Sequence, residues 1–321
     1  MKLDRFVLLL VGTILLAYLV PGIEDILPLK TISSLGISGI FFFYGLKLSP
    51  KKMLAGLFNW RLHLLIQLAT FVLFPLLVLA ARPFIHSEAH LTLWLAVFFL
   101  AALPSTVSSS VVMVSIAKGN VPGAIFNASI SGLIGIVVTP LWMGMFLGAV
   151  SGSFDLAAIF LELVLKILLP VALGLLMHRF WGGFADRNKQ HLTTFDKSVI
   201  LIIVYNSFSH SFSSGIFEGI GVPELGAVAL GVTAMFFVIY FTIYTISKSL
   251  GFHREDQIAA LFCGSKKSLV HGSVFSNVLF AGMASAGIFL VPVMVYHAFQ
   301  LFIVSIIAQK MANNPSSNSA L

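Results

Sequence analysis

The chain has 321 residues, of which 58% are hydrophobic and only 10% are charged. A soluble domain of this size is not so apolar throughout, so the composition excludes an ordinary soluble protein and favours an integral membrane protein. The single cysteine, Cys263, excludes a disulfide within the chain, and the net charge of +7 has to be interpreted through its distribution over the loops.

Ten apolar segments are long enough to cross a bilayer, which takes about 20 residues of helix. The first follows Lys2 and Arg5 but lacks a small-x-small cleavage site, so it is interpreted as a retained helix rather than a signal peptide. The alternation typical of a membrane barrel is missing, which predicts an all-α membrane protein. The predicted spans, numbered 1 to 10, are 6–22, 31–48, 60–82, 91–117, 121–149, 154–180, 195–214, 225–249, 256–281 and 284–311.

The loop charges favour one orientation of these spans. If both termini are cytoplasmic, the other side carries only Lys30 and Arg82, as the positive-inside rule requires. The cytoplasmic side then carries fourteen basic residues: Lys2, Arg5, Lys47, Lys51, Lys52, Arg61, Lys118, Arg179, Arg187, Lys189, Lys197, Lys248, Arg254 and Lys310.

Ten spans divide into five plus five, and an odd-numbered unit that is repeated once must be inverted in the membrane. Polar stretches interrupt span 4 at 103–110 and span 9 at 263–268, and prolines recur at 139–140 in span 5 and 291–292 in span 10. Interrupted segments at matching places in two halves are typical of a transporter binding site.

The recurrence of these interruptions and prolines in both halves predicts a first five-helix repeat over 1–152 and a second, inverted repeat over 153–312. The polar tail 313–321 is expected to be disordered.

The interruption in span 4 begins at Pro104, which removes a backbone donor and forces a break or a kink. The hydroxyls that follow could line a polar cavity, since irregular backbone survives at membrane depth only when it is buried or faces water. The alternative is a kinked helix whose hydroxyls bond back to their own carbonyls. The candidates are Ser105, Thr106, Ser108, Ser109 and Ser110.

The interruption in span 9 carries two adjacent lysines, Lys266 and Lys267, at middle depth. A charge at the bilayer centre costs about 2.5–3.5 kcal/mol, so each ammonium needs a partner. Both lysines could serve only to hold the break together, or one of them could touch substrate or move a proton. Ser265, Ser268 and His271 are the neighbouring candidates.

Other polar groups within the spans are weaker candidates. Glu162 and Lys166 are spaced to form an ion pair on one helix face. Packing is the favoured interpretation for any single one of the remaining groups, because small and polar residues often serve helix association in membranes. They are Gln67 and Thr70 in span 3, Asn127, Ser129 and Ser131 in span 5, the polar residues 205–211 of span 7, and Tyr296, His297 and Gln300 in span 10.

Motifs of enzymes are missing from the sequence. It has no G-x-S-x-G, H-E-x-x-H, Walker loop, G-x-G-x-x-G or C-x-x-C pattern. Glu162 is the only acid well inside a span, so a metal site is not expected. Nucleic-acid binding is also not expected, because the basic residues are dispersed along one membrane face. An intramembrane hydrolase that uses a serine with His271 or His210 is a remote alternative.

Six segments carry a resemblance to a known family: RLHLLIQLATFVLFP (61–75), LPSTVSSSVVM (103–113), KGNVPGAIFNASISGLIGIVVTPL (118–141), LIIVYNSFS (201–209), FCGSKKSLVHG (262–272) and VPVMVYHAFQL (291–301). Together they resemble the bile acid:sodium symporter superfamily, solute carrier family ten. The chain is most similar to bacterial relatives of the seventh human member.

The resemblance implies ten transmembrane helices in two inverted five-helix repeats. Helices 1, 2, 6 and 7 would form a panel, and helices 3–5 and 8–10 a core in which the broken helices 4 and 9 cross. Substrate would bind between panel and core and move by alternating access. A multi-pass protein of the bacterial inner membrane, with the lipid bilayer and a small solute as its partners, is expected; its oligomeric state is left open.

The resemblance also exposes a departure from the sodium-coupled members. Their acidic ligand in helix 9 falls on Phe262 here, and their Gln and Asn positions fall on Lys266 and Lys267. Further positions of the sodium-coupled pattern fall on Ser110, Val111, Ala124, Ala128 and Thr70. Most sodium ligands are therefore absent, and no cofactor or bound metal is expected.

The two lysines are therefore hypothesised to stand in for bound sodium. The expected function is secondary transport of a small anionic organic solute, independent of sodium, by uniport, exchange or proton coupling. The alternative is a non-transporting membrane regulator of calcium homeostasis.

Overall fold

A computed structural model describes residues 5–48, 56–151, 156–215, 221–281 and 283–313. Within these ranges every regular element is helical and no strand occurs, as the apolar pattern predicts. The α-helices are α1 (Arg5–Leu19), α2 (Ile23–Ile26), α3 (Leu29–Lys47), α4 (Trp60–Leu68), α5 (Phe74–Leu79), α6 (Glu88–Ala102), α7 (Ser108–Ile116), α8 (Val121–Ser151), α9 (Leu156–Leu163), α10 (Leu169–Arg187), α11 (Lys189–Ser213), α12 (Val222–Ser249), α13 (Arg254–Gly264), α14 (Leu269–Leu279) and α15 (Ala286–Asn313).

Short π-helices join two pairs of these elements without interrupting the helical path. Ala69–Leu73 connects α4 to α5, and Val164–Leu168 connects α9 to α10. Each π-helix ends two residues before a proline, Pro75 or Pro170, whose missing N–H group cannot continue an α-helical ladder.

The chain is a multi-pass membrane protein. In its described part, six helical stretches are long and apolar enough to cross a bilayer, and α1 and His90–Ala102 are shorter apolar helices. Spans 4 and 9 of the sequence prediction are each split into two helices, so neither contains a continuous crossing helix. The ten-span arrangement in two inverted repeats stays a prediction. The six stretches are Leu29–Lys47, Trp60–Phe84, Val121–Leu147, Leu161–Arg187, Val222–Ser249 and Ala286–Asn313.

Internal contacts divide the chain into two compact units. Unit 1 consists of Met1–Ser49, Gly144–Leu225 and Val270–Val291. Unit 2 consists of Pro50–Met143, Gly226–Leu269 and Pro292–Leu321. The predicted repeats and the panel and core assignment are separate divisions and stay predictions. Most of the predicted tail, 314–321, lies outside the described residues.

Unit 1 is held together by a close approach of α3 and α10. A Cβ atom on Gly45 would collide with the carbonyl of Val171, and one on Gly174 would collide with the carbonyl of Phe42. The two helices therefore pack backbone against backbone, as small residues permit in membrane bundles. The His178 imidazole extends this contact between the helices with a 2.7 Å hydrogen bond to the carbonyl of Leu46, near the end of α3.

The polar face of α11 binds the ends of neighbouring helices in unit 1. The Tyr205 hydroxyl donates to the Val20 carbonyl at 2.6 Å and accepts from the Ile23 N–H at 3.2 Å. The Asn206 amide donates to the Ser33 hydroxyl at 3.1 Å. These residues of span 7 thus satisfy backbone and side-chain groups that lipid could not satisfy.

Two ion pairs lie within the described part of unit 1. Lys47 at the end of α3 binds Asp196 on α11, with 3.2 Å between Nζ and Oδ2. Lys166 binds Glu162 one turn earlier, with 2.5 Å between Nζ and Oε1, so the pairing predicted from their spacing is confirmed.

One carboxylate of unit 2 joins the first turns of three helices. Asp256, near the start of α13, accepts hydrogen bonds of 2.6 Å from the side-chain amides of both Asn59 and Asn120. Asn59 caps α4 by accepting from the Leu62 N–H, and Asn120 caps α8 by accepting from the Gly123 N–H. A negative charge is favourable here because it faces the positive ends of helix dipoles.

Candidate functional site

Two helix interruptions form the centre of unit 2. The helix of span 4 ends at Ala102 and resumes at Ser108, and the helix of span 9 ends at Gly264 and resumes at Leu269. The breaks predicted from Pro104 and from the adjacent lysines are therefore confirmed. Each break exposes backbone groups that need partners inside the protein.

The two broken segments bind each other directly. The Ser268 N–H donates to the Pro104 carbonyl at 2.9 Å, and the Ser105 hydroxyl donates to the Cys263 carbonyl at 2.5 Å. The Ser105 N–H is bound by the Ser131 hydroxyl on α8, at 3.0 Å. The hydroxyls of Ser105 and Ser131 thus bind backbone groups of the two broken segments.

Lys267 lies at the centre of this junction with 1% of its surface exposed. Its ammonium donates to three backbone carbonyls: Thr70 at 2.7 Å, Ala101 at 2.6 Å and Leu103 at 2.8 Å. The ammonium also lies 4.1 Å from the centre of the Phe74 ring, a cation–π distance. Since an ammonium has three N–H donors, these carbonyls use all of them.

The Thr70 carbonyl is available because of the local sequence. In an α-helix it would accept from the N–H of Phe74, but the π-helix directs that N–H to Ala69. The next residue, Pro75, has no N–H to offer. The Thr70 hydroxyl binds the Ile66 carbonyl at 2.8 Å, so Thr70 contributes to the junction through its backbone rather than its side chain.

The other two carbonyls lie at the end of α6, where carbonyls lose their helical donors. The Leu103 N–H turns back to the Leu100 carbonyl at 3.2 Å, and the Thr139 hydroxyl binds the Ala102 carbonyl at 2.8 Å. Ala101 and Leu103 are bound by Lys267. Lys267 therefore acts as a side-chain cap for a helix broken by proline.

Two residues of α15 fix the backbone around the lysines. The Gln300 side chain accepts from the Lys267 N–H at 3.0 Å and donates to the Lys267 carbonyl at 2.8 Å. The Tyr296 hydroxyl donates to the Ser265 carbonyl at 2.6 Å. Sequence reasoning assigned Gln300 and Tyr296 to packing and missed this role. Their separation by one helical turn places both on one face, which was the available signal.

Lys266 differs from Lys267 in its partners. It is fully buried, and its ammonium donates to the Ser109 hydroxyl at 2.7 Å, its single hydrogen-bond partner among the described residues. Ser109 in turn hydrogen-bonds the Thr106 hydroxyl at 2.7 Å, and Thr106 hydrogen-bonds the Ser110 hydroxyl at 3.0 Å. Lys266 thus begins a chain of hydroxyls on span 4, and among the described residues its two other N–H donors have no acceptor.

The remaining candidates fall in different places. Gln67 donates to the Asn127 amide oxygen at 3.1 Å, and Asn127 hydrogen-bonds His63 at 2.8 Å, which makes a separate polar network. The Ser265 hydroxyl bonds back to a carbonyl of its own helix at 2.6 Å. The side chain of Ser108 lies outside the described residues.

His271 belongs to unit 1. Its ring contacts the edges of Phe41 and Tyr44, with 5.5 Å and 6.0 Å between ring centres. The structure therefore gives His271 aromatic neighbours from α3. A role of His271 in substrate binding stays a prediction.

Comparison with known proteins identifies the family of the chain. A family model described as the SBF-like CPA transporter family matches residues 4–313. The chain belongs to this transporter family. The resemblance to the bile acid:sodium symporters and to the seventh human member is confirmed, and membership places the chain in a family of transporters rather than of enzymes.

Three relatives are similar to this SBF-like chain over almost their whole length. The uncharacterized protein PA2026 of Pseudomonas aeruginosa is 37% identical over 320 residues, covering 99% of this chain and 95% of the relative. YfeH of Escherichia coli is 32% identical, and the match covers 96% of this chain and 92% of the relative. The sodium/bile acid cotransporter 7-B of Xenopus laevis is 30% identical, and the match covers 96% of this chain and 91% of the relative.

Proposed function

We propose that this member of the SBF-like family is a secondary transporter of a small organic anion that works by alternating access and does not require sodium. The observation that carries the proposal is the Lys267 ammonium, which is tethered within 2.8 Å of three backbone carbonyls at the junction of the two broken segments. The relatives named as sodium/bile acid cotransporters make sodium the alternative occupant to be considered.

The site around Lys267 fits an ammonium better than a sodium ion. Groups of backbone carbonyls bind alkali-metal ions in channel filters, so three convergent carbonyls could hold a monovalent cation. Here the Lys267 ammonium already fills that position. Phe262, where the sodium-coupled pattern has an acid, is fully buried and apolar. A sodium ion would have to displace a covalently attached cation without a carboxylate to compensate it.

Lys266 is the group that suits an anionic solute. A buried ammonium with one neutral hydroxyl partner is poorly compensated, and an anion would supply the missing charge. The hydroxyls of Ser109 and Thr106 lie beside it and can donate to the same anion. Carboxylate, sulfate and phosphate groups all accept charge-assisted hydrogen bonds of this kind.

The test starts from a thermal-shift screen against carboxylates, sulfates, phosphates and sterol acids in sodium-free buffer. An anion that stabilises the protein is then followed by counterflow in proteoliposomes, with and without sodium. We expect equal uptake in both media. Lys266→Met should lower uptake at least tenfold, because a charge-assisted hydrogen bond contributes about 1.5–3 kcal/mol.

Lys310→Met, which removes an exposed lysine near the end of α15, is the matched control and should leave uptake unchanged. The melting temperature of Lys266→Met should equal that of the unmodified protein. Uptake that requires sodium would contradict the proposal, as would undiminished uptake by Lys266→Met. If none of the anions stabilised the protein or was transported, a non-transporting regulator would be favoured instead.

A further inference from the structure

The junction of α10 and α11 lies beyond the predicted membrane core. Arg187 ends α10, Lys189 begins α11, and Asn188 alone joins them. With 25 residues, α11 is about 37 Å long, whereas the hydrocarbon core of a bilayer is about 30 Å thick. The apolar pattern starts span 7 at residue 195, so the first turns of α11 belong to the membrane surface.

A wide, open groove of about 570 Å³ lies on the surface of these first turns, and its described lining residues all belong to α11. Its cations are Lys189 and Lys197, and the Lys197 ammonium is also 5.0 Å from the centre of the Phe6 ring. The residues that line the groove are Lys189, Gln190, His191, Thr193, Thr194 and Lys197.

The positive charge of the groove is not cancelled by an acid in its lining. Asp196 precedes Lys197 in the sequence, but it is paired with Lys47 at 3.2 Å. Asp186 lies on α10 and is not among the described residues that line the groove. Among the described residues that line the groove none is acidic, so the groove suits an anion.

The hydroxyls of the two threonines in the groove do not donate to that anion, because their protons are used in hydrogen bonds within α11. Thr193 donates to the Lys189 carbonyl at 2.8 Å, and Thr194 donates to the Gln190 carbonyl at 3.1 Å. Affinity for an anion therefore depends on the two lysines, which makes it open to a direct test.

The last turns of α10, which precede the groove in the chain, carry large exposed apolar side chains. On α10, Phe180 is 73% exposed, Trp181 is 52% exposed and Phe184 is 47% exposed. Exposed aromatic rings near a membrane surface usually lie at the level of the lipid headgroups. A ligand that satisfies both features needs a negative headgroup and an apolar body, which a free phosphate ion does not have.

We propose that this groove binds the phosphate of an anionic phospholipid, with the lysines on the headgroup and the α10 aromatic residues against the lipid chains. A basic residue close to an anionic membrane surface contributes about 1 kcal/mol, which is about fivefold in binding. Replacing both lysines is therefore expected to lower the preference for anionic lipid about 25-fold. The proposal concerns lipid binding and does not depend on what the protein transports.

Trp181 allows the site to be observed directly. The protein is reconstituted with brominated phosphatidylglycerol diluted into phosphatidylcholine, and with brominated phosphatidylcholine diluted into phosphatidylglycerol. Quenching by bromine reports which lipid contacts each tryptophan, and the difference between the unmodified protein and Trp181→Phe isolates Trp181. We expect preferential quenching by phosphatidylglycerol, lost in Lys189→Gln/Lys197→Gln.

The control Lys30→Gln/Lys310→Gln removes the same total charge from exposed positions elsewhere and should keep the preference. Equal preference in the two double variants would overturn the proposal. It would also be overturned if millimolar inorganic phosphate abolished the preference, because the groove would then be a site for free phosphate. Melting temperatures of the two variants, measured in phosphatidylcholine alone, verify that both are folded.

Discussion

Replacing Lys267 by methionine is expected to lower the free energy of unfolding by about 3–9 kcal/mol. The variant keeps an unbranched side chain but removes the ammonium that binds Thr70, Ala101 and Leu103. Each buried carbonyl left without a donor costs about 1–3 kcal/mol, and the π-helix before Pro75 and the end of α6 leave these three without helical N–H donors. Native proteins are stable by only about 5–15 kcal/mol, so a substantial fraction of the protein should fail to fold.

Lys266→Met is the matched control for this prediction. It removes the adjacent ammonium, whose single described partner, the Ser109 hydroxyl, keeps its hydrogen bond to Thr106. Thermal unfolding in detergent, followed by tryptophan fluorescence, compares the two variants. Melting temperatures within about 2 °C of each other would contradict the structural role assigned to Lys267.

Asp256→Ala is expected to lower the free energy of unfolding by about 2–4 kcal/mol. The substitution removes two hydrogen bonds of 2.6 Å, to Asn59 and Asn120, that together hold the N-termini of three helices. A hydrogen bond to a charged group contributes about 1.5–3 kcal/mol, and partial exposure of Asp256 reduces the sum.

Glu255→Ala removes a neighbouring, exposed acid and should change the stability by less than about 0.5 kcal/mol. Asp256→Asn keeps the shape of the side chain and one acceptor, so its melting temperature should fall between those of Asp256→Ala and the unmodified protein. If Asp256→Ala and Glu255→Ala had the same melting temperature, the Asp256 carboxylate would not join these helices as described.

The breaks in the two helices could be predicted from sequence because their causes are local. Pro104 cannot donate a backbone hydrogen bond, and two lysines at middle depth cannot remain on an uninterrupted apolar helix without partners. The family resemblance was equally accessible, since its segments extend over most of the chain. The membrane character followed from hydrophobicity alone.

The different roles of the two lysines could not be predicted, because they depend on contacts between distant segments. Adjacent residues give no indication that one ammonium binds three carbonyls and the other a hydroxyl. The Thr70 carbonyl becomes an acceptor only through a π-helix, and the Gln300 amide reaches Lys267 from 33 positions away. Likewise, His271 is four residues beyond Lys267 but packs with α3 in unit 1.

The claim that the Lys267 ammonium takes the place of sodium is tested most directly by the dependence of the melting temperature on sodium, measured without any transported solute. A ligand that binds only the folded protein stabilises it, by about 2.7 kcal/mol at a concentration one hundred times its dissociation constant. Since the Lys267 ammonium is bound to the three carbonyls, we expect equal melting temperatures in sodium chloride and choline chloride at matched ionic strength. A saturable rise in melting temperature that is specific to sodium would contradict it.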